Sequence, residues 1–323
     1  VDATVERYIP ASGYHLVSVP VTQASGPVSG WFLWSYLYEY DVSAQAWNGM
    51  GGDTANPLEV NRGYMIYKYP GPAKWDPDTT YAIKGILNSG TFYADVSYPG
   101  VSDNHSLVPN PYPSAIDWNA ASGWSRTNLA GSYWMWIHSS NNYGVWNGTA
   151  GTHGVTKDIP VGQAYFVQAT AADPVLATTG DVRLHSSQAF YKTKDELQNL
   201  LRLNASCNGM SDEIVVLFDD EASADYMSQE DASKMYGGAE APQLYSHSAD
   251  DRKLTINMLP LKDEKMEIPV GFEQADPGEI VLVAGSLETF DQEIAIHLLD
   301  RHTGAMTDLR VEPQYSFTHH PDN

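Results

Sequence analysis

The densest group of side chains able to bind a ligand is the run Tyr133-Trp-Met-Trp-Ile-His138. Side chains alternate along a strand, which sets Trp134, Trp136 and His138 on one face and Tyr133, Met135 and Ile137 on the other. Exposed indole rings can stack on the flat faces of sugar rings, and Tyr143 and Trp146, beyond the next turn, would extend such a platform. The competing reading fills the core between two sheets with these rings, and the cost of exposing several Trp favours it. A second group is the acidic loop Asp219-Asp-Glu-Ala-Ser-Ala-Asp-Tyr226, with Glu230 and Asp231 just beyond. Asp219, Asp220 and Asp225 could supply oxygen ligands to Ca²⁺, the one cofactor these residues suggest. The loop lacks the spacing and central Gly of an EF-hand, and a solvated acidic loop is its ordinary explanation. His319 and His320 are adjacent, so on a strand they point to opposite faces and do not share a metal.

Catalytic patterns are missing. The chain has no HExxH, no GxxxxGK[ST] and no GxSxG. Acids are abundant, but no spacing singles out the carboxylate pair that glycoside hydrolysis needs. The single Cys207 forms no intrachain disulfide, and no Cys/His cluster has zinc spacing. Across 323 residues, 40 acidic side chains against 18 basic ones give a formal net charge of −22. So acidic a chain has no counterion-release drive toward DNA or RNA, which excludes nucleic acid as a partner. Its apolar stretches are far too short to span a bilayer.

The elements that must position these groups read as strands and turns. Glu213–Phe218, Lys253–Met258, Glu279–Ala284 and Glu293–Leu299 are β-rich runs, and Asp300-Arg-His-Thr-Gly304 reads as a hairpin loop. In Lys253–Met258 the alternation sets Leu254, Ile256 and Met258 on one face. The one helix-friendly stretch, Lys192–Leu201, could equally run into a strand. Short strands separated by Gly, Pro, Asn and Asp predict an all-β fold of tandem antiparallel β-sandwich domains. Composition divides the chain near Arg183–Lys194. Residues 1–183 carry −6 and all nine Trp, whereas residues 184–323 carry −16. The expected domains are therefore an aromatic unit, 1–183, and an acidic β-sandwich, 184–323, its last strand cut short.

The aromatic unit contains an internal repeat, over about 1–100 and 101–183. His15-Leu-Val-Ser-Val-Pro20 matches Ser106-Leu-Val-Pro-Asn-Pro111, Trp47-Asn-Gly49 matches Trp146-Asn-Gly148, and Gly63-Tyr-Met-Ile66 matches Ala164-Tyr-Phe-Val167. The order is kept while the offset grows from 91 to 99 to 101, as loop insertions would make it do.

Asn110-Pro-Tyr-Pro-Ser-Ala-Ile-Asp-Trp118, with Val5-Glu-Arg-Tyr-Ile-Pro10 upstream, resembles the large cell-surface proteins of Bacteroidota exported by the type IX secretion system, in the region before their C-terminal sorting domain. The second half keeps the resemblance in Ser211–Phe218, Asp231-Ala-Ser-Lys-Met-Tyr-Gly237, Gln243–Ser246, Leu254–Pro260 and Thr303–Leu309. It implies a non-catalytic structural and interaction region of an exported protein, adhesin-like, on the outer face of the outer membrane. The full-length protein would engage the type IX machinery and a glycan or surface ligand. The alternative is an accessory, glycan-binding region of a secreted polysaccharide- or protein-degrading enzyme whose catalytic domain lies upstream. Asp53-Thr-Ala55 and Asp78-Thr-Thr80 resemble the Asp-Ser/Thr-X sequence that Bacteroidota O-glycosylate, which makes Thr54 and Thr79, in expected loops, candidate sugar acceptors. The chain begins Val1-Asp-Ala with no initiator Met or signal peptide and stops at Asn323, as an excerpt from a longer polypeptide would.

Overall fold

The structure is a computed structural model that describes residues 2–9, 13–22, 35–50, 58–68, 79–100, 104–184, 197–262 and 264–321. These residues form an all-β protein of multiple, mainly antiparallel sheets and contain no α-helix. The helix-friendly stretch ends in strand, since Leu200 and Leu201 open a long β element; residues 192–196 lie outside the described residues. Contacts divide the chain into two units, one of Val1–His138 with Thr156–Ser187, the other of Ser139–Val155 with Gln188–Asn323. The segment Ser139–Val155, aromatic by composition, thus groups with the acidic unit. Its polar side chains bond there, Asn142 Nδ2 donating to the Pro242 carbonyl at 2.8 Å and Asn147 Nδ2 to that of Glu230. Composition cannot register where such bonds end.

In the first unit, β1 (Asp2–Ile9) and β3 (Val21–Thr22) flank β7 (Thr79–Leu87). A second sheet has the order β2 (Gly13–Val17), β6 (Tyr64–Lys68), β4 (Ser35–Asp41), β5 (Ala46–Gly49). Ile9, Val21, Tyr81 and Ile83 of the first sheet pack with Val17, Tyr64 and Ile66 of the second, so each sheet buries one face against the other. The second copy repeats this logic. Its strands β9 (His105–Pro109), β15 (Ala164–Ala169) and β12 (Leu129–Ile137) take the order β9-β15-β12, the counterpart of β2-β6-β4.

The register matches the sequence repeat at several pairs. Leu16 pairs with Met65 and Val17 with Tyr64; at the offsets read from the sequence, Leu107 pairs with Phe166 and Val108 with Tyr165. The next strand follows suit, since Tyr38 pairs with Met65 as Trp134 pairs with Phe166. The copies also interlock. Gly63 N–H donates to the Leu107 carbonyl at 3.2 Å, while Gln163 Nε2 donates to the Leu16 carbonyl at 3.0 Å.

Short strands complete the second copy. β8 (Phe92–Tyr93) and β11 (Trp124–Thr127) flank β16 (Val175–Thr178), and β14 (Asp158–Ile159) and β17 (Arg183–Leu184) flank β10 (Ala115–Asp117). The Asn-Pro-Tyr-Pro block is a core staple. Buried Asn110 accepts from Tyr112 N–H at 3.0 Å and donates to the carbonyls of Ser114 and Pro160, both at 2.9 Å. Tyr112 Oη donates to the Gly90 carbonyl at 2.8 Å, and Trp118 Nε1 to that of Gly131 at 2.7 Å. Buried polar atoms need such partners, so the most distinctive motif in the chain is explained by folding.

The acidic unit includes β13 (Asn142–Trp146) and one long sheet. The sheet runs β23 (Val270–Glu273), β21 (Gln243–His247), β22 (Lys253–Leu259), β19 (Met210–Phe218), β18 (Leu200–Cys207), β24 (Gly278–Gly285), β27 (Gln314–His319), with β20 (Ala232–Ser233) on β22. β19 and β22 pair in parallel, the exception to the antiparallel expectation. Central β22 buries both faces, Thr255 and Asn257 as well as Leu254 and Ile256, so the alternation does not separate core from solvent there. Within Glu293–Leu299 only His297–Leu299 is strand, β25, which pairs with β26 (Met306–Asp308) across a loop where Gly304 has φ +76°. That positive φ is why Gly serves at the position. Ile296, Leu298 and Leu309, in and beside this hairpin, cover the face of the sheet that carries Leu203, Ile214, Leu244 and Ile280.

Candidate functional site

Of the two readings of the aromatic strand, Trp134 follows the favoured one, the core. Trp134 is 1% exposed, its ring edge-on to buried His105 at 4.9 Å. It is a core residue, because β12 lies in a sheet covered on both sides. Trp136 is half-buried in the first unit; Tyr143 and Trp146 are half-buried and belong to the second. Asp219, Asp220 and Asp225 are exposed, and Asp219 Oδ1 accepts from Glu221 N–H at 2.9 Å, capping its own turn. Among the described residues, no three His, Cys, Asp or Glu side chains gather to hold a metal ion. Thr79 opens β7 opposite Ile9 and so lies in a strand rather than a loop; Thr54 lies outside the described residues.

The exposed aromatic surface lies elsewhere, on β2-β6-β4. Tyr14 pairs with Tyr67 and Tyr67 with Tyr36, so three phenols stand in one row across three adjacent strands. Tyr14 and Tyr36 are 41% and 57% exposed, and Tyr67 is half-buried. The Tyr14 and Tyr67 rings lie 4.7 Å apart, and Tyr38, one pleat further along β4, lies 6.4 Å from Tyr14. Partial burial, then the nearby phenols of Tyr14, Tyr36 and Tyr67, pushes the Tyr38 phenol above its ordinary value. The missed sequence signal was Ser35-Tyr-Leu-Tyr-Glu-Tyr40, where a ring recurs at every second position of a strand. Such a row offers rigid apolar faces with hydroxyl tips, a combination suited to ligands that are apolar on one side and polar at the rim.

A smaller cleft of about 230 Å³ lies on β8-β16-β11, lined by Thr91, Tyr93, Ser125, Ala177, Thr179 and Asp181 among others. Ser125, Ala177 and Tyr93 are neighbours across the three strands, so the small Ala177 side chain makes a floor between taller walls. Tyr93 is 69% exposed.

The acidic unit holds a buried polar cluster of different character. Asp212 Oδ2 accepts from Lys234 Nζ at 2.5 Å and from Leu244 N–H at 2.6 Å. Its Oδ1 accepts from Glu213 N–H at 2.9 Å and lies 3.3 Å from His153 Nε2. Nearby, buried Asp231 accepts from the N–H groups of Met227 at 2.7 Å and Met258 at 2.8 Å. Burial pushes its carboxyl up to about 6, against those two hydrogen bonds. No local pattern announced that Asp212, Lys234 and His153 meet, because they are far apart in sequence.

Sheets of this order define an all-β protein. The chain belongs to DUF8693, a domain of unknown function, whose family model matches residues 2–323. No curated protein and no solved structure matches it. Among the described residues no helix is long and apolar enough to cross a membrane.

Proposed function

We propose that the chain is a non-catalytic interaction region of a large exported cell-surface protein, adhesin-like, that holds a neutral glycan on the tyrosine row. The observation that carries the binding reading is the alignment of Tyr14, Tyr67 and Tyr36 across three strands with two of the rings well exposed. Rings in a row along a sheet match the repeat of an extended sugar chain better than a single pocket does. The charge supports a neutral ligand, since a net −22 repels anionic polysaccharides at ordinary ionic strength. The surface address rests on the resemblance carried by Asn110–Trp118 and by the blocks of the second half.

Retention on insoluble neutral polysaccharides (β-glucans, xylan and mannan) tests the binding. Replacing both Tyr14 and Tyr36 by Ala removes two contacts worth ~0.5–1.5 kcal/mol each, an expected loss of roughly tenfold or more in affinity. Retention unchanged in the double variant, or none by the wild type, overturns the reading. Antibody labelling of intact cells tests the address.

A further inference from the structure

We propose that Lys234 and Asp212 join covalently, as an amide between Nζ and Cγ that the fold forms from its own residues. Four observations carry it. The two side chains are 1% and 0% exposed, and Nζ stands 2.5 Å from Oδ2, next to the carbon it would attack. Both are held by the sheet, Asp212 on β19 opposite Ala205 and Lys234 directly after β20, so attack is intramolecular and prepaid in entropy. Two backbone donors point at the carboxyl group, Leu244 N–H on Oδ2 and Glu213 N–H on Oδ1, as required to stabilise charge on an oxygen during addition. Finally, His153, its side chain only 5% exposed, places Nε2 3.3 Å from Oδ1, where it can steady charge that develops on that oxygen.

The step balances without any co-reactant. One proton passes from Nζ to Oδ2, the oxygen it already contacts. The nitrogen lone pair attacks Cγ, forming the N–C bond and leaving negative charge on Oδ1, beside Glu213 N–H and His153 Nε2. The nitrogen passes its surplus proton to Oδ2, which departs as water while Oδ1 re-forms the carbonyl. Ammonium and carboxylate become amide and water, with no change of oxidation state. The product closes the loop between residues 212 and 234 in a chain whose single Cys rules out an intrachain disulfide.

The test is the intact mass of the full chain, purified folded and then denatured. The wild type is expected to weigh less than its 35.5 kDa sequence mass by one water, and its digest to contain one branched peptide carrying both Asp212 and Lys234. Lys234→Met is expected to show the full sequence mass. His153→Ala is expected to form the lighter species ~10²–10³-fold more slowly, and formation at the wild-type rate would remove His153 from the step. A wild-type chain with a folded circular-dichroism spectrum and the full sequence mass overturns the proposal and leaves an ordinary buried ion pair.

Discussion

The two copies inside the first unit share strand order and pairing register, yet use one row of positions in opposite ways. In the first copy that row is Tyr14, Tyr67 and Tyr36, largely open to solvent. At the positions matching Tyr14 and Tyr67 the second copy has His105 and Gln168, with His105 buried. One pleat along, half-buried Tyr38 corresponds to fully buried Trp134. Hydrogen-bond register is set by the backbone and survives divergence, whereas the chemistry of a row follows whatever covers it. The second copy buries this sheet face, and the first presents it to solvent.

The largest expected effect breaks the comparison at its most buried point. Trp134→Ala should destabilise the first unit by about 3–5 kcal/mol, through lost burial and a residual cavity. Tyr38→Ala, at the matching position, should cost about half as much. Urea unfolding followed by Trp fluorescence checks both, and equal costs would show that the two positions are equally packed.

Next comes pH. Burial holds the His105 imidazole down at about 4 from its ordinary 6.5. The folded state thus binds this proton less readily than the unfolded state. The stability tied to a neutral His105 is fully present above about pH 6.5 and is lost as pH falls toward 4, to a limit of about 3 kcal/mol. Subtracting the pH profile of His105→Gln from that of the wild type isolates the effect, and a flat difference would sink it. Asp231 in the acidic unit works in the opposite sense. Its raised folded value makes its contribution fade as pH climbs from about 4 to about 6, so the two units should differ in the slope of their pH profiles.

The smallest effect is the one that sharpens the contrast. Tyr36→Ala should change unfolding free energy by no more than about 0.5 kcal/mol, as for other surface substitutions. A cost above about 2 kcal/mol would mean that the row is part of the core.

Much of the fold was legible in the sequence. The repeat was visible because Leu16-Val17 and Leu107-Val108, like Tyr64 and Tyr165, keep their types wherever the register keeps their partners. The hairpin at Asp300–Gly304 was readable from turn chemistry. The site was not. Alternation correctly set Trp134 and Tyr133 on opposite faces, but a strand between two layers buries both, and no local pattern counts layers. The acidic loop drew notice by composition alone, and composition does not show that Asp219 turns back on its own backbone.

The sequence by itself determined the all-β class, the duplication and the uneven charge, because these depend on local alternation, turn residues and composition. Only the tertiary structure decided which aromatic face meets solvent, and that Asp212 meets Lys234 and His153 in a dry interior. Burial and long-range pairing are properties of how strands stack across the chain, and no window of neighbouring residues contains them.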